Sequence, residues 1–154
     1  MTKEDLGGLE GPFDGSIADA VANQEAIFRD TFPGVLGVRI LDAGPGAASG
    51  TLEVGASVRH PGGFAHGGAI AGFGDTIAAW ATFPALAPGE IFTTIEFKAN
   101  FISSVAEGRL RADARALHAG GRTHVIEVKI ATDDDEARLV AIMLVTQAII
   151  RRKA

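Results

Sequence analysis

Hydrophobic positions along the chain follow two different periods, and the switch between them marks the elements. Over 16–32 the apolar residues Ile17, Ala20, Val21, Ile27 and Phe28 recur mostly at helical spacing, with Ser16 placed to cap the first turn and Pro33-Gly34 to stop the helix. Two strands are expected over 36–43 and 48–54, folded back across Gly44-Pro45-Gly46, with Leu52 and Val54 alternating against Thr51 and Glu53. Residues 67–83 differ from both. Ala, Ile, Phe and Trp surround that segment on every side, the pattern of a buried helix rather than an amphipathic surface one. Gly67, Gly68, Gly72 and Gly74 sit at its start or inside it. An interior glycine costs about 1 kcal/mol relative to alanine, so something is expected to approach this helix closely.

After Pro84 and Pro88 the chain reads as strands. Over 91–102, Ile95, Phe97, Ala99 and Phe101 are expected on one face and Glu96, Lys98 and Asn100 on the other. Over 108–118, Leu110, Ala112, Ala114 and Ala116 pack while Arg109, Arg111, Asp113 and Arg115 meet water. Gly120-Gly121 signals a hairpin into 123–132, the acidic run Asp133-Asp134-Asp135-Glu136 makes the next turn, and 138–150 is the last strand. The order is helix, two strands, buried helix, four strands. It predicts an α+β fold: an antiparallel sheet of about six strands, mostly in meander order, wrapped around a long central helix. Residues 1–15, polar and glycine-rich, read as a flexible arm, and 16–154 as a single domain.

Composition narrows the possible partners. The 154 residues are 47% hydrophobic and 21% charged, a globular balance for one domain. The formal net charge is −5, and the only dense basic cluster is Arg151-Arg152-Lys153. Nucleic-acid binders concentrate positive charge to displace counterions from phosphates, so nucleic acid is not an expected partner. Cysteine is absent, which removes thiol nucleophiles and thiolate metal ligands. The first residues lack the basic start and apolar run of a signal peptide, and the longest apolar stretch, 69–81, is interrupted by Asp75. A cytoplasmic protein without membrane association is expected.

Asp75 is the most informative residue. A carboxylate flanked by Phe73, Ile77, Ala78 and Trp80 has its charge poorly solvated, which raises its pKa and makes it a better base. The bland alternative is an Asp that reaches a rim or caps a neighbouring backbone group. Upstream lies His60-Pro-Gly-Gly-Phe-Ala-His66-Gly67-Gly68. Glycines opening a helix let a ligand reach free N–H groups at the positive end of the helix dipole, suited to an oxyanion or a polarised carbonyl. Gly67 and Asp75 are about 12 Å apart along a helix at 1.5 Å per residue, too far to serve one carbonyl. If both act, they come from different chains, with two buried helices side by side across a two-fold axis.

The pattern His60…His66-Gly67-Gly68…Asp75 on a buried helix resembles the hotdog-fold thioesterases of the phenylacetate-pathway type, over roughly 36–149. The resemblance implies an acyl-CoA thioesterase of the hotdog fold, a homodimer or a dimer of dimers (a homotetramer). It implies no separate cofactor, coenzyme A entering as part of the substrate, and no metal. Asp75 would be the general base or nucleophile, Gly67 the oxyanion-hole N–H from the opposite subunit, and His66 the residue that orients that turn. Thr94, or its neighbour Thr93, matches a Ser/Thr that helps to position water. Arg122, in the hairpin Gly121-Arg122-Thr123, would meet a coenzyme A phosphate, and Gly68 would lie against substrate. Apart from the resemblance, Phe64, Phe73, Trp80, Phe83 and Phe97 are candidates to line an apolar pocket or to serve as packing. Where the family usually carries Asn or Gln, six residues before His66, this chain has His60. Histidine donates the same hydrogen bond but also titrates near neutral pH.

Three other readings remain open. A hotdog-fold dehydratase or hydratase would pair His60 with Asp75. A metal site would use His60, His66 and Asp75, at a spacing that matches no tight ligand motif. A non-catalytic acyl-CoA-binding protein would gain nothing from a costly buried acid. His118 and His124, which flank a hairpin, read as surface residues.

Overall fold

A computed structural model describes residues 16–151; the expected arm at 1–15 lies outside them. Three short helices open the described chain: α1 (Ile17–Ala22), α2 (Gln24–Phe28) and α3 (Phe32–Leu36). The Ser16 hydroxyl caps α1 by accepting the Asp19 N–H at 3.1 Å. The single helix expected over 16–32 is therefore broken. Pro33 lies in the first turn of α3 instead of stopping a helix, because its fixed φ and missing N–H suit that turn. Leu36, expected in a strand, closes α3.

Six strands follow: β1 (Arg39–Gly44), β2 (Ala47–Glu53), β3 (Glu90–Phe101), β4 (Arg109–Ala119), β5 (Thr123–Thr132) and β6 (Leu139–Arg151), with α4 (Gly67–Thr82) between β2 and β3. They form one antiparallel sheet in the order β1-β2-β4-β5-β6-β3. This is the expected α+β architecture with one departure from a meander. After α4 the chain crosses to the far edge, so among the described residues β3 pairs only with β6 and its other edge is open.

One face of the sheet holds α4. Leu110, Ala112, Ile126, Val128, Ile130, Met143 and Val145 meet Phe73, Ile77 and Ala78 of the helix, and all are fully buried. Burying each large aliphatic side chain contributes about 1.5–3 kcal/mol, so this seam holds the helix in place. The close approach that the helical glycines imply comes from this chain's own side chains. Phe32 and Leu36 lie against Gly72, and Met143 and Ile130 against Gly74.

Gly50 of β2 sets how near α4 lies to the sheet. A Cβ there would stand 2.5 Å from the Arg39 carbonyl oxygen and 2.5 Å from Ile77 Cδ1. The carbonyl belongs to the β1–β2 pairing and has no freedom to retreat. Gly50→Ala is expected to destabilise the fold by about 1–3 kcal/mol, the usual cost of overpacking. An unchanged urea midpoint would remove this account of the helix–sheet spacing.

Two expected faces are corrected. Thr51, assigned to the solvent side of β2, is buried. Ile95, expected to alternate with Phe97, Ala99 and Phe101, is the extra residue of a β-bulge between Thr94 and Glu96, which takes it out of their series.

Candidate active site

His66 sits just ahead of α4 with extended backbone angles and caps the helix, its Nδ1 accepting the Gly68 N–H at 2.9 Å. His60 makes a similar local turn, its Nδ1 accepting the Gly62 N–H at 2.9 Å. A neutral imidazole whose Nδ1 accepts carries its proton on Nε2. The two rings have centroids 6.4 Å apart, and among the described residues neither Nε2 has a hydrogen-bond partner, so each can donate from Nε2. The Gly67 N–H, first in the helix, has no acceptor among the described residues. Gly67 also lies under the Phe101 ring, whose Cζ would be 3.2 Å from a Cβ at that position.

Two turns further along, Asp75 is half-buried, and its Oδ1 accepts the Thr94 hydroxyl at 2.8 Å. Burial pushes the carboxyl above its ordinary value of 3.8, and the Thr94 bond opposes that rise. The bulge in β3 decides which threonine does this. Beyond it Thr94 stands opposite the inward-facing Gln147, while Thr93 is exposed. A bulge beside a functional group commonly re-aims a side chain in this way. Of the two threonines left open by the sequence, Thr94 is the one that meets Asp75.

The other site residues are more scattered. Phe64 is 42% exposed and tilts against His60 with centroids 6.1 Å apart. Arg122 is exposed in the β4–β5 turn, its carbonyl accepting the Ile149 N–H at 2.9 Å. Gly68 is exposed at the start of α4. Among the described residues no three His, Asp or Glu side chains gather around a possible metal position. No described helix is long and apolar enough to cross a membrane.

Residues 62–138, which include Gly67 and Asp75, match the family described as the thioesterase superfamily. The chain belongs to the thioesterase superfamily. It is 33% identical over 118 residues to the 1,4-dihydroxy-2-naphthoyl-CoA hydrolase of Listeria monocytogenes, covering 77% of this chain and 94% of the relative. The protein of the same name in Escherichia coli is 29% identical, covering 76% of this chain and 85% of that one. A thioesterase family protein from Silicibacter pomeroyi superposes with a TM-score of 0.78 at 26% identity, covering 89% of this chain and all of that one, 100%. The fold is therefore the hotdog fold of these enzymes, and the protein is a thioester hydrolase.

Three residues linked to Asp75 through Thr94 are not signalled by the sequence motif. Gln147 of β6 is fully buried; its Nε2 donates to Thr94 Oγ1 at 3.4 Å, and its Oε1 accepts the Thr82 hydroxyl. Thr82, also fully buried, stands seven residues after Asp75 on the same side of α4. His124, expected at the surface, is 5% exposed and pairs with Gln147 across β5 and β6. Burial lowers its pKa, the neighbouring His118 lowers it further, and Glu90 opposes both. Strand parity carries the signal for two of them. His124 continues the inward series Ile126, Val128, Ile130, and Gln147 the series Ala141, Met143, Val145.

Proposed function

We propose that this thioesterase hydrolyses acyl-CoA, with Asp75 as the reactive carboxylate and the Gly67 N–H as oxyanion donor. The observation that carries the reading is a carboxyl held part-buried on the central helix, with Oδ1 engaged by Thr94 and Oδ2 without a hydrogen bond among the described residues. As general base, Oδ2 takes a proton from water while the resulting hydroxide attacks the thioester carbonyl carbon. The C–S bond then breaks, and the coenzyme A thiolate leaves and is protonated. The alternative step is direct attack by the carboxylate, followed by hydrolysis of the anhydride. His66 caps the turn that presents Gly67, and the His60 Nε2–H stands in for the amide donor of related enzymes. Arg122 would meet a coenzyme A phosphate.

The two relatives named for 1,4-dihydroxy-2-naphthoyl-CoA support an aromatic acyl group. Phe64, Phe97 and Phe101, each 42–53% exposed near α4 and β3, would contact it. Because Gly67 and Asp75 are separated along one helix, the reading requires a second copy to supply the missing half-site. The open edge of β3, with Ile95, Phe97 and Phe101 exposed along it, supports pairing there as a homodimer.

Benzoyl-, butyryl-, palmitoyl- and 1,4-dihydroxy-2-naphthoyl-CoA, assayed by release of free thiol, test the proposal. Hydrolysis is expected, fastest with the aryl substrates. Its rate should fall as pH drops through an acidic limb lying above the ordinary carboxylate value of 3.8, because Asp75 acts only when ionised. Binding of several of these compounds without turnover would replace the enzyme by an acyl-CoA-binding protein.

A further inference from the structure

The hydrogen bonds behind Asp75 all run one way. Thr82 donates to the Gln147 carbonyl oxygen, the Gln147 amide donates to Thr94, and Thr94 donates to Asp75 Oδ1. A hydroxyl has one proton to give. With its oxygen approached by the Gln147 amide, that proton is aimed at the carboxylate and not at water or substrate. The arrangement has geometric support on both sides. Thr94 and Gln147 are directly opposed across β3 and β6, and Thr82 lies on the Asp75 side of α4. Both inner members are fully buried, so neither Thr82 nor Gln147 has water to exchange for its partner.

Resting on the assignment of Asp75 as the reactive carboxylate, we propose that Gln147, anchored by Thr82, is a positioning residue that acts through Thr94 to hold Asp75 Oδ1 and turn Oδ2 toward the substrate. Gln147 lies beyond the segment matched by the family, 62–138, and nothing in that match assigns it a role. Thr94 is on this account a carboxylate clamp and not a donor to the attacking water. The influences on the Asp75 carboxyl are burial and the Thr94 bond, with no charged side chain among the described residues contributing. His124 stands opposite Gln147 on β5, with His118 and Glu90 acting on it. Loosening the clamp therefore reaches Asp75 chiefly through Thr94.

The test compares Gln147→Met, Thr94→Val and the double variant with wild type, using benzoyl-CoA hydrolysis across pH. Gln147→Met is expected to lower kcat roughly tenfold, the rate equivalent of one hydrogen bond, with little change in KM. Its acidic limb should move to higher pH, because a weaker donor stabilises the ionised carboxyl less. Thr94→Val should show a larger shift in the same direction, and the double variant should match Thr94→Val alone, since Gln147 acts only through Thr94. Gln147→Met leaves the Thr82 hydroxyl buried without an acceptor, which endangers folding. Thr82→Val combined with Gln147→Met removes both partners and should fold while keeping the kinetic defect. Gln147→Glu, held neutral by burial, restores one donor and one acceptor and should recover most of kcat.

A wild-type acidic limb in a folded Thr82→Val/Gln147→Met variant, or additive effects in the Thr94→Val/Gln147→Met double variant, would overturn the positioning role. Asp75→Asn run alongside separates the two claims. If it keeps full activity, the assignment of Asp75 fails. If it is inactive while the Gln147 variants behave as wild type, only the relay fails.

Discussion

Asp75→Asn is expected to lower kcat roughly a thousandfold, within the range for loss of a general base, and to raise the melting temperature at neutral pH. Asn is nearly the same size, and its amide oxygen still accepts the Thr94 hydroxyl proton, so the site keeps its shape. What is lost is the group that takes the proton or attacks the thioester. The gain in stability has a definite sign. Burial places the folded carboxyl above its ordinary value of 3.8, so the folded state holds its proton more tightly than the unfolded chain does. That contribution is fully present below pH about 3.8 and is lost as pH rises through the folded value. At neutral pH the protein therefore carries an ionised, partly desolvated carboxylate, a cost that Asn does not have. The difference in melting temperature between variant and wild type should be largest at neutral pH and shrink toward acid. Equal melting temperatures at neutral pH, with activity gone, would mean that Asp75 ionises in the fold without cost.

The same residue shows how far the sequence could be read. Its placement on an all-apolar helix is enough to single it out, because the helix has no polar face for it to occupy. The sheet was legible from alternation, which is a local property. What alternation could not show was the bulge at Ile95, where one extra residue inverts the parity of the start of β3 and turns Thr94 inward. The crossover that sends β3 to the far edge was hidden for a related reason, since strand order is set by packing over α4. Gln147 and His124 were legible in principle. Their inward parity is plain once polar residues are allowed in a core row; what masks it is that His and Gln side chains usually face water. The helix expected over 16–32 is broken at Asn23, which caps the end of α1, and between Phe28 and Phe32, where Asp30 takes a left-handed φ of 58°. Apolar spacing alone carries no signal for either break.

Gly67→Pro is expected to lower kcat about a hundredfold to a thousandfold, the usual effect of removing one oxyanion-hole donor, with α4 intact. A backbone N–H cannot be removed by changing a side chain, but proline lacks it, and this position tolerates proline. Gly67 is the first residue of α4, where proline fits the helix, and His66 before it has φ −70° and ψ 133°, the extended backbone that a residue preceding proline adopts. The Gly67 N–H has no acceptor among the described residues, so no structural bond is lost. Gly67→Ala is the control for bulk. It retains the N–H and brings a Cβ to 3.2 Å from the exposed Phe101 ring, which can shift, so its loss of rate should be small. Equal defects in the Pro and Ala variants would assign the effect to crowding against Phe101. Mixing Gly67→Pro with Asp75→Asn subunits then tests where the two halves of the site meet. If Asp75 of one subunit works with Gly67 of the other, each mixed dimer has one intact site, and random reassortment of equal amounts restores about a quarter of wild-type activity. If both groups served a single chain's site, every site in the mixture would carry one lesion and no activity would return.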